Sequence, residues 1–406
     1  MPAQKLKVHF IGIGGIGVSA LARYYLANGH IVTGSDLASS EITDALKKDG
    51  AKISIGKNII PKDADLVVYS PAVNVKNVQH RVSNILSYPE ALGKLTKEYF
   101  TIAVSGTHGK TTTTAMLALI LIKAGLDPTV IIGTKLKEFS NTNFRIGRSK
   151  YLLIEADEHF ASFLNYWPRV IAITNIEADH LDFYKNLKNI KTAFNKFIGH
   201  LPKDGILITG KSVNKKEFLK VKKILKVPGD HNAYDALIAL AVARSLKIPD
   251  KVSFEALAEY QGAWRRFEIL KTKPFIHISD YGHNPQKVLA TLKAAREKYP
   301  NKIIWCVYQP HQYERTYFLF NDFVKVFRKA PIDRLIITDI YDVAGRESKQ
   351  TRQKVDAQKI VKAVNQENVS YLPKNEIVPH LKKNVRNGEV LIVMGAGDIY
   401  QIDKTL

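Results

Sequence analysis

T-I-A-V-S-G-T-H-G-K-T-T-T-T-A-M-L-A-L-I-L-I-K, residues 101–123, decides how this chain is read. Residues 102–104 are a short apolar run with the look of a buried strand. The chain then turns on Gly106 and Gly109 and enters a helix, with Met116, Leu117, Ile120 and Leu121 on its apolar face. Between strand and helix stands Gly-Thr-His-Gly-Lys-Thr. Glycines there let backbone N–H groups curl around a phosphate, and a helix N-terminus adds the positive end of its dipole. Gly106, Thr107, His108, Gly109, Lys110, Thr111 and Thr112 are therefore candidates for a nucleotide-phosphate site. Lys110 can reach outer phosphate oxygens, and the Thr111 hydroxyl is placed to hold a magnesium ion. The general phosphate loop has four residues between its glycines, whereas this one has only Thr107 and His108. The alternative is an ordinary strand–turn–helix with a chance Gly-Lys-Thr. Strand, turn chemistry and helix agreeing in one place argue against it.

Upstream, residues 6–13 form an apolar strand that runs into Gly12-Ile13-Gly14-Gly15-Ile16-Gly17 and a helix to about residue 28. A second strand, 31–34, ends at Ser35-Asp36. Strand, glycine turn, helix, strand and acid are the order of a dinucleotide-binding unit. The pattern marks a nucleotide or diphosphate site without naming the nucleotide, since Asp36 either bonds a ribose or simply ends a strand. Strand-like runs at 52–55 and 66–70 and a helix at about 89–95 lead to a first boundary after Lys97.

Downstream, strands at 151–154 and 170–174 end in Glu155-Ala156-Asp157-Glu158 and in Asn175 to Asp182. Polar residues just past parallel strand ends point into the ligand crevice. Glu155 and His180 are candidates to hold magnesium beside the phosphates, while Asp157 and Asp182 are as simply read as helix caps. Gly229-Asp230-His231-Asn232 precedes an alanine-rich helix, 233–245. Trp264-Arg265-Arg266-Phe267 closes this part, and paired arginines suit bidentate phosphate contacts. Strands at 275–279, 302–308, 334–340 and 389–394, alternating with helices, predict a further parallel α/β domain. Its strand ends carry Asp280 to Pro285, Gln309-Pro310-His311 and Gly395 to Asp398. The expected fold is α/β in three domains: residues 1–97, Rossmann-like; 98–265, a phosphate-loop ATPase domain; and 266–406, again Rossmann-like.

Composition bounds the rest. With 406 residues and 45% hydrophobic content, the chain can pack several cores. The single cysteine, Cys306, excludes an intrachain disulfide and sits in an apolar run as a small core residue. Lys5 and Lys7 precede an apolar stretch, but four glycines and Arg23 break it, so a signal peptide is not expected. No run is long enough to span a membrane. The expectation is a cytoplasmic protein without a membrane partner. The net charge of +22 raises a nucleic-acid partner. Lys215, Lys216, Lys220, Lys222 and Lys223 instead read as a solvated basic helix face.

These segments, in this order, resemble the ATP-dependent Mur ligases of peptidoglycan synthesis over nearly the whole chain. The resemblance rests on Gly12 to Gly17, Ser105 to Thr114, Glu155 to Glu158, Asn175 to Asp182, His231-Asn232, Trp264 to Glu268, Asp280 to Pro285 and Gly395 to Gly397. It is strongest to the branch that adds L-alanine to UDP-N-acetylmuramate. The resemblance implies that the first domain binds the UDP-sugar through Gly12, Gly14, Gly15, Gly17, Asp36 and Ser70. The central domain would bind ATP and Mg2+, and the last would bring the amino acid. Lys110 would contact the transferring phosphate, with Thr111 and Glu155 on one magnesium and His180 on a second. His231 and Asp235 would lie at the adenine, Arg266 at the nucleotide phosphates and Asp280 near the ribose. Tyr281, His283 and Arg315 would line the amino-acid pocket, His283 being the candidate base. Lys110, His283 and Arg266 are thus the expected catalytic residues. No nucleic acid is implied, and the expected assembly is a monomer or weak homodimer.

The chain departs from the family pattern in four places. Asp235 stands where the family has asparagine, and a carboxylate only accepts hydrogen bonds, which bears on the choice between ATP and GTP. His159-Phe160 replaces Ser-Asp. Gln312 replaces an arginine, leaving Arg315 as the main anchor for an amino-acid carboxylate. The stretch from 206 to 227 is short. Three rivals are weighed: a recycling ligase that joins a murein tripeptide to the same sugar, an NAD-dependent oxidoreductase built on the first domain, and, from charge alone, a basic nucleic-acid-binding ATPase.

Overall fold

The computed structural model describes residues 5–57, 59–73, 84–342 and 349–406. The chain forms two compact units, Met1–Ile224 with Ala233–Tyr260, and Leu225–Asn232 with Gln261–Leu406. The fold is mixed α/β with three sheets, two of them in the first unit.

The first sheet holds β1 (Lys7–Ile11), β2 (Ile31–Asp36), β3 (Lys52–Ile55), β4 (Leu66–Tyr69) and β5 (Ile85–Ser87). It is parallel, in the order β3-β2-β1-β4-β5. The chain leaves β1 for one side and returns on the other, so a crevice opens beyond the ends of β1 and β4. The glycine turn follows β1 and Ser70 follows β4, with the Ser70 N–H donating to Ile11 O at 2.9 Å.

The second sheet holds β6 (Phe100–Ser105), β7 (Thr129–Leu136), β8 (Thr142–Arg145), β9 (Tyr151–Glu155), β10 (Val170–Ile173) and β11 (Ile206–Ile208). Its order is β11-β10-β6-β9-β7-β8, and only β8 is antiparallel. β6 is central, and the helix Lys110–Lys123 leaves its end. That helix buries more than the expected apolar face: Thr111 to Thr114 are buried as well. Thr114 Oγ1 satisfies itself by donating to Lys110 O at 2.8 Å, so a polar first turn can be covered without an orphan hydroxyl. One apolar core runs through both sheets of this unit, from Val8, Phe10 and Leu21 to Ala103, Leu152 and Ile171.

The second unit carries β12 (Glu268–Lys271), β13 (Ile276–Asp280), β14 (Ile304–Tyr308), β15 (Arg334–Ile337), β16 (Val369–Tyr371) and β17 (Val390–Met394). The order is β12-β13-β17-β14-β15-β16, with β12 antiparallel. Cys306 is fully buried in this core, as its apolar run predicts.

Six strands escape the sequence reading: β5, β7, β8, β11, β12 and β16. All but β7 are edges of their sheets. These five edge strands are only three or four residues long, and β8 and β12 mix in polar residues, so they lack the apolar run by which central strands are recognised. The helix expected from 233 begins at Asp230, which places His231 and Asn232 in its first turn.

Candidate active site

The phosphate loop is shaped by backbone that needs glycine. Gly106 and Gly109 have φ of +135° and +80°. A Cβ on Gly106 would overlap Thr174 Oγ1, and one on Gly109 would overlap the Asp235 carboxylate. Asn175 then braces the loop from the end of β10. Its Oδ1 accepts the His108 N–H at 3.0 Å, its Nδ2 donates to His108 O at 3.0 Å, and its carbonyl accepts the Thr107 N–H at 3.0 Å. Thr107 Oγ1 takes the Glu177 N–H at 2.9 Å. The N–H groups of Thr107 and His108 are thus taken up by Asn175, and the N–H groups of the first helical turn after Gly109, which have no partner inside the helix, are left to shape an anion site.

Lys110 is folded back. Its ammonium donates to Gly106 O at 2.7 Å and to Glu158 Oε2 at 2.6 Å, and lies 3.5 Å from Asp157. Burial works against the charged lysine, but Glu158, Asp157 and Glu155 overcome it and hold the proton more firmly than usual. Burial pushes the Glu158 carboxyl up to about 7, against the pull of Lys110. Thr111 Oγ1 donates to Glu155 Oε1 at 2.8 Å, while Glu155 Oε2 accepts the Gly133 N–H at 2.9 Å. A hydroxyl and a carboxylate oxygen side by side, next to a phosphate loop, suit a hard cation. Among the described residues no cluster of three or more His, Cys, Asp or Glu could hold a metal alone. Such an ion would complete its shell with phosphate and water oxygens, as magnesium does.

His180 Nε2 lies 3.7 Å from Glu158 Oε1. Burial pushes the imidazole down to about 4, which leaves it neutral and able to offer a lone pair. The departure at His159-Phe160 has a visible consequence. His159 stacks at 4.0 Å on both Phe160 and His180, a three-ring pile against the candidate ligand.

At the first sheet, Asp36 braces the glycine turn. Its Oδ2 accepts the Gly14 N–H at 2.7 Å and its Oδ1 the Leu37 N–H at 2.7 Å, so it ends β2 and closes the glycine turn. Gly12 (φ +75°) approaches Ser70 so closely that a Cβ would sit 3.0 Å from Ser70 Cβ. Gly15 opens the helix Ile16–Ala27 as its N-cap, and Gly17 faces the ring of Tyr88.

In the second unit, Asp280 ends β13 and ties three elements together. It accepts from the Phe267 N–H at 2.8 Å, the Gly282 N–H at 2.7 Å and Thr291 Oγ1 at 3.1 Å. The two arginines divide their work. Arg265 is buried, donates to Gly395 O and lies 4.4 Å over Tyr400. Arg266 is half-buried, 4.7 Å over Tyr281. His283 Nδ1 lies 3.0 Å from Tyr281 O. A carbonyl only accepts, so Nδ1 carries the proton and Nε2 keeps its lone pair. Burial, with Lys287 and Arg315 nearby, pushes His283 well below the usual histidine range. Arg315 Nη1 meets His311 Nδ1 at 3.2 Å, and His311 stacks on Tyr341 at 5.5 Å. His231 is exposed at the start of its helix.

The predicted residues thus fall in two sets. Gly12, Gly14, Gly15, Gly17, Asp36, Ser70, Gly106 to Thr112, Glu155, His180 and Asp235 lie in the first unit. His231, Arg266, Asp280, Tyr281, His283 and Arg315 lie in the second.

Three family models match the chain: the Mur ligase catalytic domain over residues 7–100, the Mur ligase middle domain over 104–224 and the Mur ligase glutamate ligase domain over 265–397. The chain belongs to the Mur ligase family. Among its relatives, the UDP-N-acetylmuramate--L-alanine ligase of Acetivibrio thermocellus is 40% identical, with 99% of this chain and 95% of that one aligned. The enzyme of the same name from Clostridium novyi is 38% identical over 98% and 96%. The alignment to the first spans 456 residues against the 406 of this chain, so that Mur ligase carries residues without a counterpart here. Among solved structures, UDP-N-acetylmuramate-alanine ligase MurC from Thermotoga maritima superposes with a TM-score of 0.79 at 28% identity, covering 98% of each chain. A murein peptide ligase from Psychrobacter arcticus shares the fold, with a TM-score of 0.70 at 22% identity over 99% of this chain and 98% of that one.

Sequence reasoning passed over several residues of this Mur ligase. Glu158 was legible as a fourth residue of an acidic strand end, yet its bond to Lys110 depends on a turn. His311 was visible as a strand end, but its pairing with Arg315 and Tyr341 was not. Tyr88 carried no signal at all.

Proposed function

We propose that this protein is an ATP-dependent ligase that joins L-alanine to the carboxylate of UDP-N-acetylmuramate, giving UDP-N-acetylmuramoyl-L-alanine, ADP and phosphate. The observation that carries this reading is near-complete alignment, at 40% identity, to a ligase of that name, with a phosphate loop and Thr111–Glu155 pair at the centre. We assign the UDP-sugar to domain 1–97, ATP to 98–265 and the amino acid to 266–406.

A carboxylate is a poor electrophile. Its oxygen attacks the γ-phosphorus, the bond to the ADP oxygen breaks, and an acyl phosphate forms. The alanine amine then adds to the acyl carbon, and collapse expels phosphate. Lys110, released from Glu158, offsets charge on the transferring group, and we assign Arg266 to the nucleotide phosphates. Asp280 orders the turn that presents Arg266. Thr111, Glu155 and His180 would hold magnesium, which supplies charge stabilisation at the phosphates. His283 Nε2 takes the proton of the attacking amine, while Tyr281 and Arg315 orient the amino acid. His231 and Asp235 serve the adenine. The glycine turn and Ser70 hold the sugar diphosphate, with Asp36 fixing the turn. ATP and a nucleotide-linked sugar as substrates place the reaction in the cytoplasm, and a monomer or weak homodimer suffices for it.

The test is isotope tracing. With 18O in the muramate carboxylate, label should enter the released phosphate in the presence of ATP and alanine. ATP left intact, with no amino acid joined, overturns the reading. Replacing alanine by a murein tripeptide separates it from the recycling reaction.

A further inference from the structure

Tyr88 stands against the glycine turn. It is the first residue of the helix Tyr88–Thr96, and a capping box fixes that start. Ser87 Oγ accepts the Glu90 N–H at 3.4 Å and Glu90 Oε2 accepts the Ser87 N–H at 2.7 Å. The other end is equally fixed: at Gly93 a Cβ would overlap Asn165 O, so the helix lies against the segment that follows Glu158. The Tyr88 ring is pressed on the glycine turn. A Cβ on Gly17 would lie 2.8 Å from Tyr88 Cζ and 2.9 Å from its hydroxyl. Among the described residues that hydroxyl has no hydrogen-bond partner. Burial, then the charges of Glu155 and Asp157, raise its pKa, so the phenol keeps its proton at neutral pH.

In the function proposed above, a sugar acid held by its diphosphate at the glycine turn extends toward the Thr111–Glu155 pair, whose carboxylate acts on the Tyr88 phenol. A neutral donor with no partner, set against that turn, is suited to an oxygen that is anionic before reaction and anionic again during it. We propose that Tyr88 is a further catalytic residue, whose hydroxyl donates a hydrogen bond to the acyl oxygen of the sugar acid. This rests on the function proposed above. The phenol gives up no proton. As the amine adds to the acyl carbon, the carbonyl electron pair moves onto the bonded oxygen, and on collapse it returns while phosphate leaves.

The experiment compares wild type, Tyr88→Phe and Tyr88→Leu in steady-state alanine ligation. Tyr88→Phe keeps the ring on Gly17 and should unfold at the wild-type temperature. Its kcat should fall about 100-fold, as when one oxyanion donor is removed, with KM for ATP and for the UDP-sugar within about threefold. Tyr88→Leu should show the same loss in kcat and a raised KM for the UDP-sugar from lost packing. A Tyr88→Phe enzyme with wild-type kcat, and loss only in Tyr88→Leu, would make the ring a packing element and overturn the proposal alone. A wild-type protein that joins no alanine overturns the proposal together with the function on which it rests.

Discussion

The Lys110 ammonium lies 2.6 Å from the Glu158 carboxylate, and Glu158 is only 2% exposed. The lysine that should meet phosphate is therefore neutralised until a nucleotide draws it away. The two partners are not equivalent when one is lost. Glu158→Gln strands a buried cation, with Asp157 at 3.5 Å and the more distant Glu155 left to offset it. That loss should cost about 3–5 kcal/mol. Lys110→Met leaves a carboxyl already raised to about 7, which can take a proton and lose its charge. Its stability cost should be visibly smaller, while kcat falls about 1000-fold. Urea denaturation at pH 7 and ligation rates check both. Equal destabilisation would contradict this account.

Gly106 combines φ of +135° with a neighbour, Thr174 Oγ1, in the space of a side chain. Gly106→Ala should distort the loop and weaken ATP binding at least about tenfold, each factor of ten being about 1.4 kcal/mol. Calorimetric titration with ATP reads this directly. Unchanged affinity would show that the loop adapts.

In the amino-acid pocket proposed above, Arg315 would work without the arginine that Gln312 replaces. Wild type should show a high KM for alanine and accept glycine and serine in part. Arg315→Ala should raise that KM further, with a smaller effect on kcat. His283→Ala should instead lower kcat about 100-fold, the range of a lost general base. Near-normal turnover in His283→Ala, with only a raised alanine requirement, would remove His283 as the base.

His9 gives a pH prediction away from the site. It is 1% exposed on β1, and burial pushes it down from 6.5 to about 4. Between those values the unfolded chain binds a proton that the folded chain does not. Stability should thus fall as pH drops from 6.5 toward 4, by up to about 3 kcal/mol at 1.36 kcal/mol per unit. His180 titrates in the same direction, so the diagnostic is the difference between wild type and His9→Leu. Parallel stability–pH curves for the two would refute the assignment.

Much of this was legible in the residues. Central strands show as apolar runs because they are buried on both faces, and loops show because only glycine takes the backbone they need. Edge strands were missed because they are too short to show such a run. Asp36 was visible in sequence as an acid behind the glycine turn, but its bond to the Gly14 N–H at 2.7 Å was not. Arg265 and Arg266, adjacent and alike in sequence, both lie over Tyr281 but part company in burial: Arg265 is buried against Gly395 and Tyr400, and Arg266 is only half-buried.

The order of motifs along the chain was enough to determine the family, the three sheets and the phosphate loop, because each depends on local spacing of glycines, apolar residues and polar strand ends. Tertiary structure alone decided which side chains face one another across long separations. Lys110 with Glu158, His159 with His180 and Tyr88 with Gly17 are such pairs. Contacts of that kind are set by how strands and helices pack, and residue spacing along the chain carries no trace of them.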